Sequence, residues 1–162
     1  MATSDENIRG GAQLAQFLAT LPAKVEQNIM RSALRAGANV IRNEARILVP
    51  VDQGALRASI KTSAKARRGM VTAAVKAGGK LAPHAHLVEY GTRPHKIEPK
   101  DAAALSVAGS AYQTIDHPGA KPSPFMRPAQ DSKTTAAIEA VSAQIGKRLT
   151  KEGINVPAPE EE

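Results

Sequence analysis

Three stretches of the chain place apolar residues three or four positions apart, the spacing of one face of a helix. The first lies between residues 13 and 21 and carries Leu14, Phe17, Leu18 and Leu21. The second is the longest and runs to Val49, because Pro22 suits a first helical turn and Pro50 ends the helix. Its stripe consists of Val25, Ile29, Ala33, Ala36, Val40, Ile41, Ala45 and Leu48. The third starts near residues 124–128, ends at Gly153 and carries Ile138, Val141, Ile145 and Leu149.

The middle of the chain alternates with a period of two, which predicts strands. Ile60, Thr62, Ala64 and Ala66 form one series, and Val71, Ala73, Val75 and Ala77 form the next. Residues 67–69 separate them, so the pattern predicts a β-hairpin. Before the hairpin, Asp52 is suited to cap one helical turn. After it we expect a short helix over residues 84–90, closed by Gly91, and short strands around Ile97, 105–107 and 112–115.

The predicted order is helix, hairpin, short helix, strands and helix, an α+β fold. Long N-terminal and C-terminal helices are expected to pack on one small antiparallel sheet built around the hairpin. Residues 13–153 would form a single domain. Residues 1–12 are polar and predict a flexible N-terminal arm, and residues 154–162 predict an acidic, disordered tail.

The apolar content is weak in large side chains. Of the 162 residues, 30 are alanine, whereas leucine, isoleucine, valine and phenylalanine together make 32. Methyl groups bury little area, and each buried CH2 contributes only about 0.8 kcal/mol. A core this thin predicts that association with further copies or partners supplies part of the stability. The chain has no cysteine, which excludes disulfide scaffolds and thiol nucleophiles, and we expect neither a signal peptide nor a membrane span.

Positive charge is concentrated around the hairpin. The chain has 22 Lys and Arg against 15 Asp and Glu, and residues 52–80 hold seven of the basic residues and one acid, Asp52. Such a patch attracts DNA phosphates or an acidic protein, although no aromatic residues are interleaved for base stacking. A solvated basic face is the alternative. The patch consists of Arg57, Lys61, Lys65, Arg67, Arg68, Lys76 and Lys80.

The polar residues do not predict an enzyme. His84, His86, His95 and His117, with Glu89 and Asp101 nearby, are the candidates for a metal, but His84 and His86 lack the four-residue step of a zinc pair on a helix. No serine stands in a nucleophile elbow and no glycine-rich loop precedes a Lys-Ser or Lys-Thr pair. We therefore expect no catalytic residues, no metal and no cofactor.

Three motifs remain, at residues 49–60, 86–100 and 117–129. They read VPVDQGALRASI, HLVEYGTRPHKIEPK and HPGAKPSPFMRPA. Together and in this order they resemble the tail-completion or neck protein family of long-tailed phages, typified by the gene-ten product of the lambdoid phage Hong Kong 97. The resemblance covers about residues 22–150. The positions that carry it, and that we expect to serve the fold or an interface, are Pro50, Asp52, Gly54, Leu56, Arg57, Ser59, Glu89, Tyr90, Gly91, Thr92, His117, Pro118, Gly119, Phe125, Pro128 and Ala129.

The residue types in these motifs predict particular roles. Gly54 and Gly91 are candidates for positive φ or close backbone approach. Glu89 is suited to accept hydrogen bonds from a neighbouring loop or from a basic residue such as Arg57, with a plain surface acid as the alternative. Phe125 is expected to fill the core before the last helix, with a subunit contact as the alternative. His117-Pro118-Gly119 predicts a turn.

The resemblance implies a structural virion protein at the head–tail junction, present in the host cytoplasm during assembly. Its implied partners are further copies of itself, with six in a ring as the natural number, the tail tube or tail terminator, and the neck connector. Non-specific contact with genomic DNA is a further expectation, and no membrane is involved. Two other hypotheses stay open: a basic nucleic-acid-binding accessory module, and a metal-dependent hydrolase using His84, His86, Glu89 and His117.

Overall fold

The fold is α+β, as predicted. The computed structural model describes residues 11–151 apart from 20, 22 and 101–103. The helices are α1 (Gly11–Ala19), α2 (Ala23–Leu48), α3 (Ala55–Ser59), α4 (Ala85–Tyr90) and α5 (Met126–Lys151), and a 3-10 turn covers Gly79–Leu81. The strands are β1 (Lys61–Arg67), β2 (Met70–Lys76), β3 (His95–Ile97), β4 (Leu105–Val107), β5 (Ser110–Tyr112) and β6 (Ile115–His117).

Helices α2 and α5 are the frame of the molecule and lie antiparallel. Their contacts pair Gly37 with Ala137 and Val141, and Gln144 donates to the Ser32 hydroxyl across 2.8 Å. A Cβ at Gly37 would lie 2.7 Å from Val141 Cγ2, so only glycine permits this close approach. Near the other end, Lys133 lies 3.5 Å from Glu44.

The β1–β2 hairpin packs on α2. Its turn is Arg68-Gly69, both with positive φ, the arrangement that two-residue hairpins favour. The Thr62 hydroxyl donates to Asn39 Oδ1 at 2.7 Å, and Arg46 donates to the Ile60 carbonyl at 2.8 Å. These bonds attach the start of β1 to α2.

Two buried clusters form the core of the described residues. One lies where α2, α3, α4 and α5 meet, and the other joins α2 to the C-terminal half of α5. Six of the thirteen buried apolar residues are alanine, which confirms a core poor in large side chains. The clusters contain Ala45, Val49, Leu56, Ile60, Ala82, Ala85, Phe125 and Ala129, and Ile29, Ala33, Ile145 and Leu149.

Several sequence predictions were wrong in detail. The described strands form three separate two-stranded antiparallel sheets, β1–β2, β3–β6 and β4–β5, rather than one sheet. The expected strand over residues 112–115 is divided between β5 and β6 because its ends pair with different strands. Leu48 is 41% exposed, and Val49 fills the core in its place because α2 ends at Leu48 and the chain turns there.

Part of the predicted organisation falls outside the described residues. This applies to residues 1–10 of the expected arm, to Pro22 and Gly153, and to the whole expected acidic tail, 154–162. Residues 11 and 12, assigned to the arm, belong to α1. None of the helices in the described ranges is both long enough and apolar enough to span a bilayer.

Candidate assembly interface

The second and third motifs meet at the Glu89 carboxylate. Its Oε2 accepts the backbone N–H groups of Phe125 at 2.8 Å and Met126 at 3.0 Å, and its Oε1 accepts that of Arg127 at 3.2 Å. These N–H groups lie at the start of α5 and have no acceptor within the helix itself. The N-terminus of a helix also favours a negative charge. We call this arrangement the Glu89 cap.

The Glu89 cap holds its charge although it is buried. Burial raises the pKa of Glu89, but the N–H groups of Met126, Phe125 and Arg127, with the Arg127 guanidinium, outweigh this effect. The pKa of Glu89 therefore lies below its ordinary value. The expected bond to a neighbouring segment is present, whereas Arg57 is exposed on α3 and the carboxylate is occupied by α5.

Phe125 fills the core beside the cap. Its side chain is 1% exposed and packs in the cluster that contains Ala129, which leaves no surface for a subunit contact. Pro128 is half-buried within the first turn of α5. The core role expected for Phe125 is thus the one observed.

The first motif makes a turn between α2 and the hairpin. Gly54, with φ 79°, precedes α3 without a side-chain cap, so the prediction that Asp52 caps this helix was wrong. The buried Ser59 hydroxyl donates to the Leu56 carbonyl at 2.6 Å and accepts from Gly78 N–H at 2.9 Å. Leu56 and Ser59 are buried here, whereas Pro50, Asp52 and Arg57 are exposed.

Gly91 and Gly119 allow the segment before β3 and the segment after β6 to approach closely and pair at Thr92 and Ala120. Gly91 has φ 72°, and a Cβ there would lie 2.6 Å from the Ala120 carbonyl oxygen. A Cβ on Gly119, whose φ is 81°, would collide with the Thr92 carbonyl oxygen. Thr92 and Ala120 exchange backbone hydrogen bonds of 2.9 and 3.2 Å. The prediction of a turn at 117–119 was wrong, because His117 ends β6 and the chain runs on to pair with Thr92 at Ala120. Gly119 N–H donates to His117 Nδ1 at 3.0 Å.

The basic residues of the expected patch lie on the surface. All seven are exposed, and Lys61, Lys65, Arg67 and Lys76 share the hairpin face that points away from α2. Lys61 stands directly opposite Lys76 in the register, a pairing of like charges that costs stability. The ion pair in the described residues, Lys133 with Glu44, involves none of the seven. This face is suited to contact an anionic surface.

The histidines are dispersed in the structure. His84 and His86 are exposed near α4, whereas His95 and His117 pair across β3 and β6 with ring centroids 5.1 Å apart. Within the described residues, no three His, Asp or Glu side chains are grouped to hold a metal ion. Asp101 lies outside those residues.

An apolar groove, which the sequence did not predict, runs beside the Glu89 cap. Its volume is about 600 Å³. The floor is α2, one wall is β2 and the other is α5, and the 67% exposed Tyr90 lies at one end. The residues that form it are Leu34, Gly37, Ala38, Ile41, Ala73, Val75, Glu89, Tyr90, Met126, Arg127, Gln130, Thr134, Ala137, Ile138 and Val141, of which Glu89 and Arg127 are charged.

Comparison with known protein families tests the resemblance to phage tail-completion proteins. A family model described as "Bacteriophage HK97-gp10, putative tail-component" matches residues 12–91. The match covers 80 of the 162 residues and agrees with the resemblance seen in the sequence motifs. The match includes the first motif and the HLVEYG part of the second, and the third motif lies beyond it. Comparison with curated proteins found no match, and neither did comparison with solved structures. The HK97 gp10-like match supports a structural role in a phage tail and therefore a place in the virion.

Proposed function

We propose that this HK97 gp10-like protein is a structural component of the head–tail junction of a long-tailed phage. Copies form a ring, with six as the expected number, that completes the tail and joins it to the neck connector. The family match over residues 12–91 is the observation that carries this proposal. In this role the protein catalyses no reaction.

The surface of the molecule supports a role in assembly. Large apolar side chains are exposed at Ile47, Val51 and Leu81, all near the first motif. Exposed apolar patches on a small protein mark contact sites. The basic face of the hairpin is suited to DNA in the channel or to an acidic tube protein.

The proposal is tested by removing the gene from the phage. We expect lysates to contain filled heads and separate tails, and a plasmid copy of the gene should restore joined particles. A matched plasmid that carries the gene with an early stop codon is the control. Normal infectious particles without the protein would contradict the proposal.

A second candidate, a basic nucleic-acid-binding module, is favoured by the unpaired lysines of the hairpin. Binding to free DNA would then weaken steeply with salt, because each phosphate contact releases a counterion. Tight, salt-dependent binding of free DNA by the purified protein, together with its absence from virions, would favour this candidate over a structural role in the tail.

A further inference from the structure

We infer that the β4–β5 ribbon of one copy docks into the apolar groove of a neighbouring copy and adds a strand to β2. The inference deepens the ring proposed above and rests on it. It assigns the contact surface and the occupant, a second copy of this chain. The groove belongs to the body of the molecule, and the ribbon belongs to the segment that leaves the body at Thr92 and returns at Ala120.

The groove has an open strand edge as well as an apolar floor. Thr62 of β1 contacts Asn39 and Arg42, whereas Ala73 and Val75 of β2 line the groove together with Leu34, Ala38 and Ile41. Successive residues on a helix are 100° apart, so the α2 residues that face β2 lie between those that face β1 and those that face α5. β2 therefore lies between β1 and α5. The free edge of β2 therefore faces α5 across the groove, and no described strand pairs with it.

The backbone groups on that edge follow from the register. Arg67 and Met70 close a two-residue hairpin and form a hydrogen-bonded pair, so alternate β2 residues bond to β1. The N–H and C=O groups of Val71, Ala73 and Val75 then point away from β1. A strand edge with free N–H and C=O groups is a template for an extended segment of another chain.

The β4–β5 ribbon exposes apolar side chains and packs on no further strand among the described residues. Seven of its eight residues are exposed, and two strands alone are marginally stable in water. Leu105, Val107 and Tyr112 share one face because of the register, and Val107 and Tyr112 are 49% and 46% exposed. No charged residue occurs between 104 and 115, so burial of the ribbon carries no charge desolvation.

Parallel alignment of β4 with β2 pairs the free backbone groups of both strands and also buries the apolar face of the ribbon. Val107 and Ser110, which close the β4–β5 hairpin, are hydrogen-bonded to each other. Because bonded and non-bonded pairs alternate, the N–H and C=O of the next residue, Ser106, point to the outer edge of β4. In a parallel pair, Ser106 bonds to β2 while Leu105 and Val107 point to the same side as Ala73, toward α2. Each copy then offers one ribbon and one groove, a head-to-tail contact of the kind that forms a ring when the rotation between copies closes.

The contact is tested by cross-linking, because the chain has no cysteine of its own. One protein carries Ser110→Cys in the ribbon, a second carries Thr134→Cys in the groove, and a short bismaleimide joins them after mixing. We expect a covalent heterodimer from the mixture and a ladder in virions that carry both substitutions. Lys65→Cys in place of Thr134→Cys is the matched control, on the hairpin face that points away from α2, and should give none.

Proline substitutions test the strand addition. Ala73 and Ala64 stand opposite each other at a pair that is not hydrogen-bonded, so proline at either position leaves the β1–β2 ladder intact. Ala73→Pro should abolish the ladder in virions and reduce joined particles at least tenfold, whereas Ala64→Pro, on the far edge, should preserve both. Circular dichroism of both variants checks that they fold.

The outcomes separate this inference from the proposed function. Rings in virions without the ribbon–groove cross-link, a cross-link formed only within one chain, or normal assembly by Ala73→Pro would overturn the inference and leave the ring in place. Virions that contain none of the protein would overturn the ring as well.

Discussion

Replacement of Glu89 by glutamine tests the Glu89 cap. The carboxylate serves three N–H groups at 2.8, 3.0 and 3.2 Å. The glutamine carbonyl can still accept two of these bonds, but its NH2 group faces the third donor and the charge is lost. Hydrogen bonds to charged groups contribute about 1.5–3 kcal/mol, so we expect Glu89→Gln to lower the free energy of unfolding by about 2 kcal/mol and Glu89→Ala by about 4 kcal/mol.

The effect should depend on pH with a defined sign. Because the pKa of Glu89 is lowered on folding, its charge stabilises the protein fully above the unfolded pKa, about 4.3, and the contribution is lost as the pH falls through the lower folded pKa. The gap in unfolding free energy between wild type and Glu89→Gln should therefore be full from neutral pH down to the unfolded pKa and narrow only as the pH falls further, through the folded pKa. Urea unfolding at a series of pH values measures it.

Glu44 provides the control. Its ion pair with Lys133, at 3.5 Å, also joins α2 to α5 but lies at the surface, so Glu44→Gln should cost no more than about 0.5 kcal/mol. Equal losses for the two glutamines, or a Glu89→Gln deficit that stays constant as the pH falls well below the unfolded pKa, would refute the reasoning.

Three further predictions concern packing, backbone and charge. Phe125→Ala should lower the free energy of unfolding by about 3–5 kcal/mol because it empties a buried site, and a loss below 1 kcal/mol in urea unfolding would contradict the core role. Gly91→Ala should lower the melting temperature more than Gly109→Ala, since both have positive φ but only Gly91 has a backbone oxygen 2.6 Å from the added Cβ; equal shifts would contradict this. Arg67→Ser with Arg68→Ser should weaken binding to DNA at low salt and flatten its salt dependence, measured by fluorescence anisotropy, without a change in circular dichroism; an unchanged salt slope would remove these residues from the contact.

Local patterns carried much of the fold. The apolar stripe of α2, the alternation of the hairpin and the glycine after α4 each act within a few residues, and the structure confirms all three. The Asp52 cap failed for a local reason as well: Gly54 adopts the left-handed conformation and starts α3 without a side-chain bond.

Contacts between distant residues could not be predicted. The β3–β6 pairing joins segments about twenty residues apart, and three-residue strands carry too little periodicity to specify a partner. Glu89 was expected to accept hydrogen bonds from a neighbouring loop or from Arg57, but the sequence did not identify its actual partner, the start of α5, which lies 36 residues further along the chain. One signal was available, since the first turn of α5 has no acidic residue of its own.

The groove is also a product of tertiary packing. Gly37 brings α2 and α5 together while β2 stands beside them, and neither relation is visible in the periodicity of α2. The predicted thin core was confirmed, whereas stabilisation by association remains a prediction. Dilution should lower the melting temperature if association contributes.

Electron microscopy of virions that carry a tagged copy of the protein tests the central claim most directly. The account predicts label confined to the junction between head and tail, in a ring of several copies. Label spread along the tail tube or over the capsid, or virions without label while the tagged gene restores infection, would contradict it.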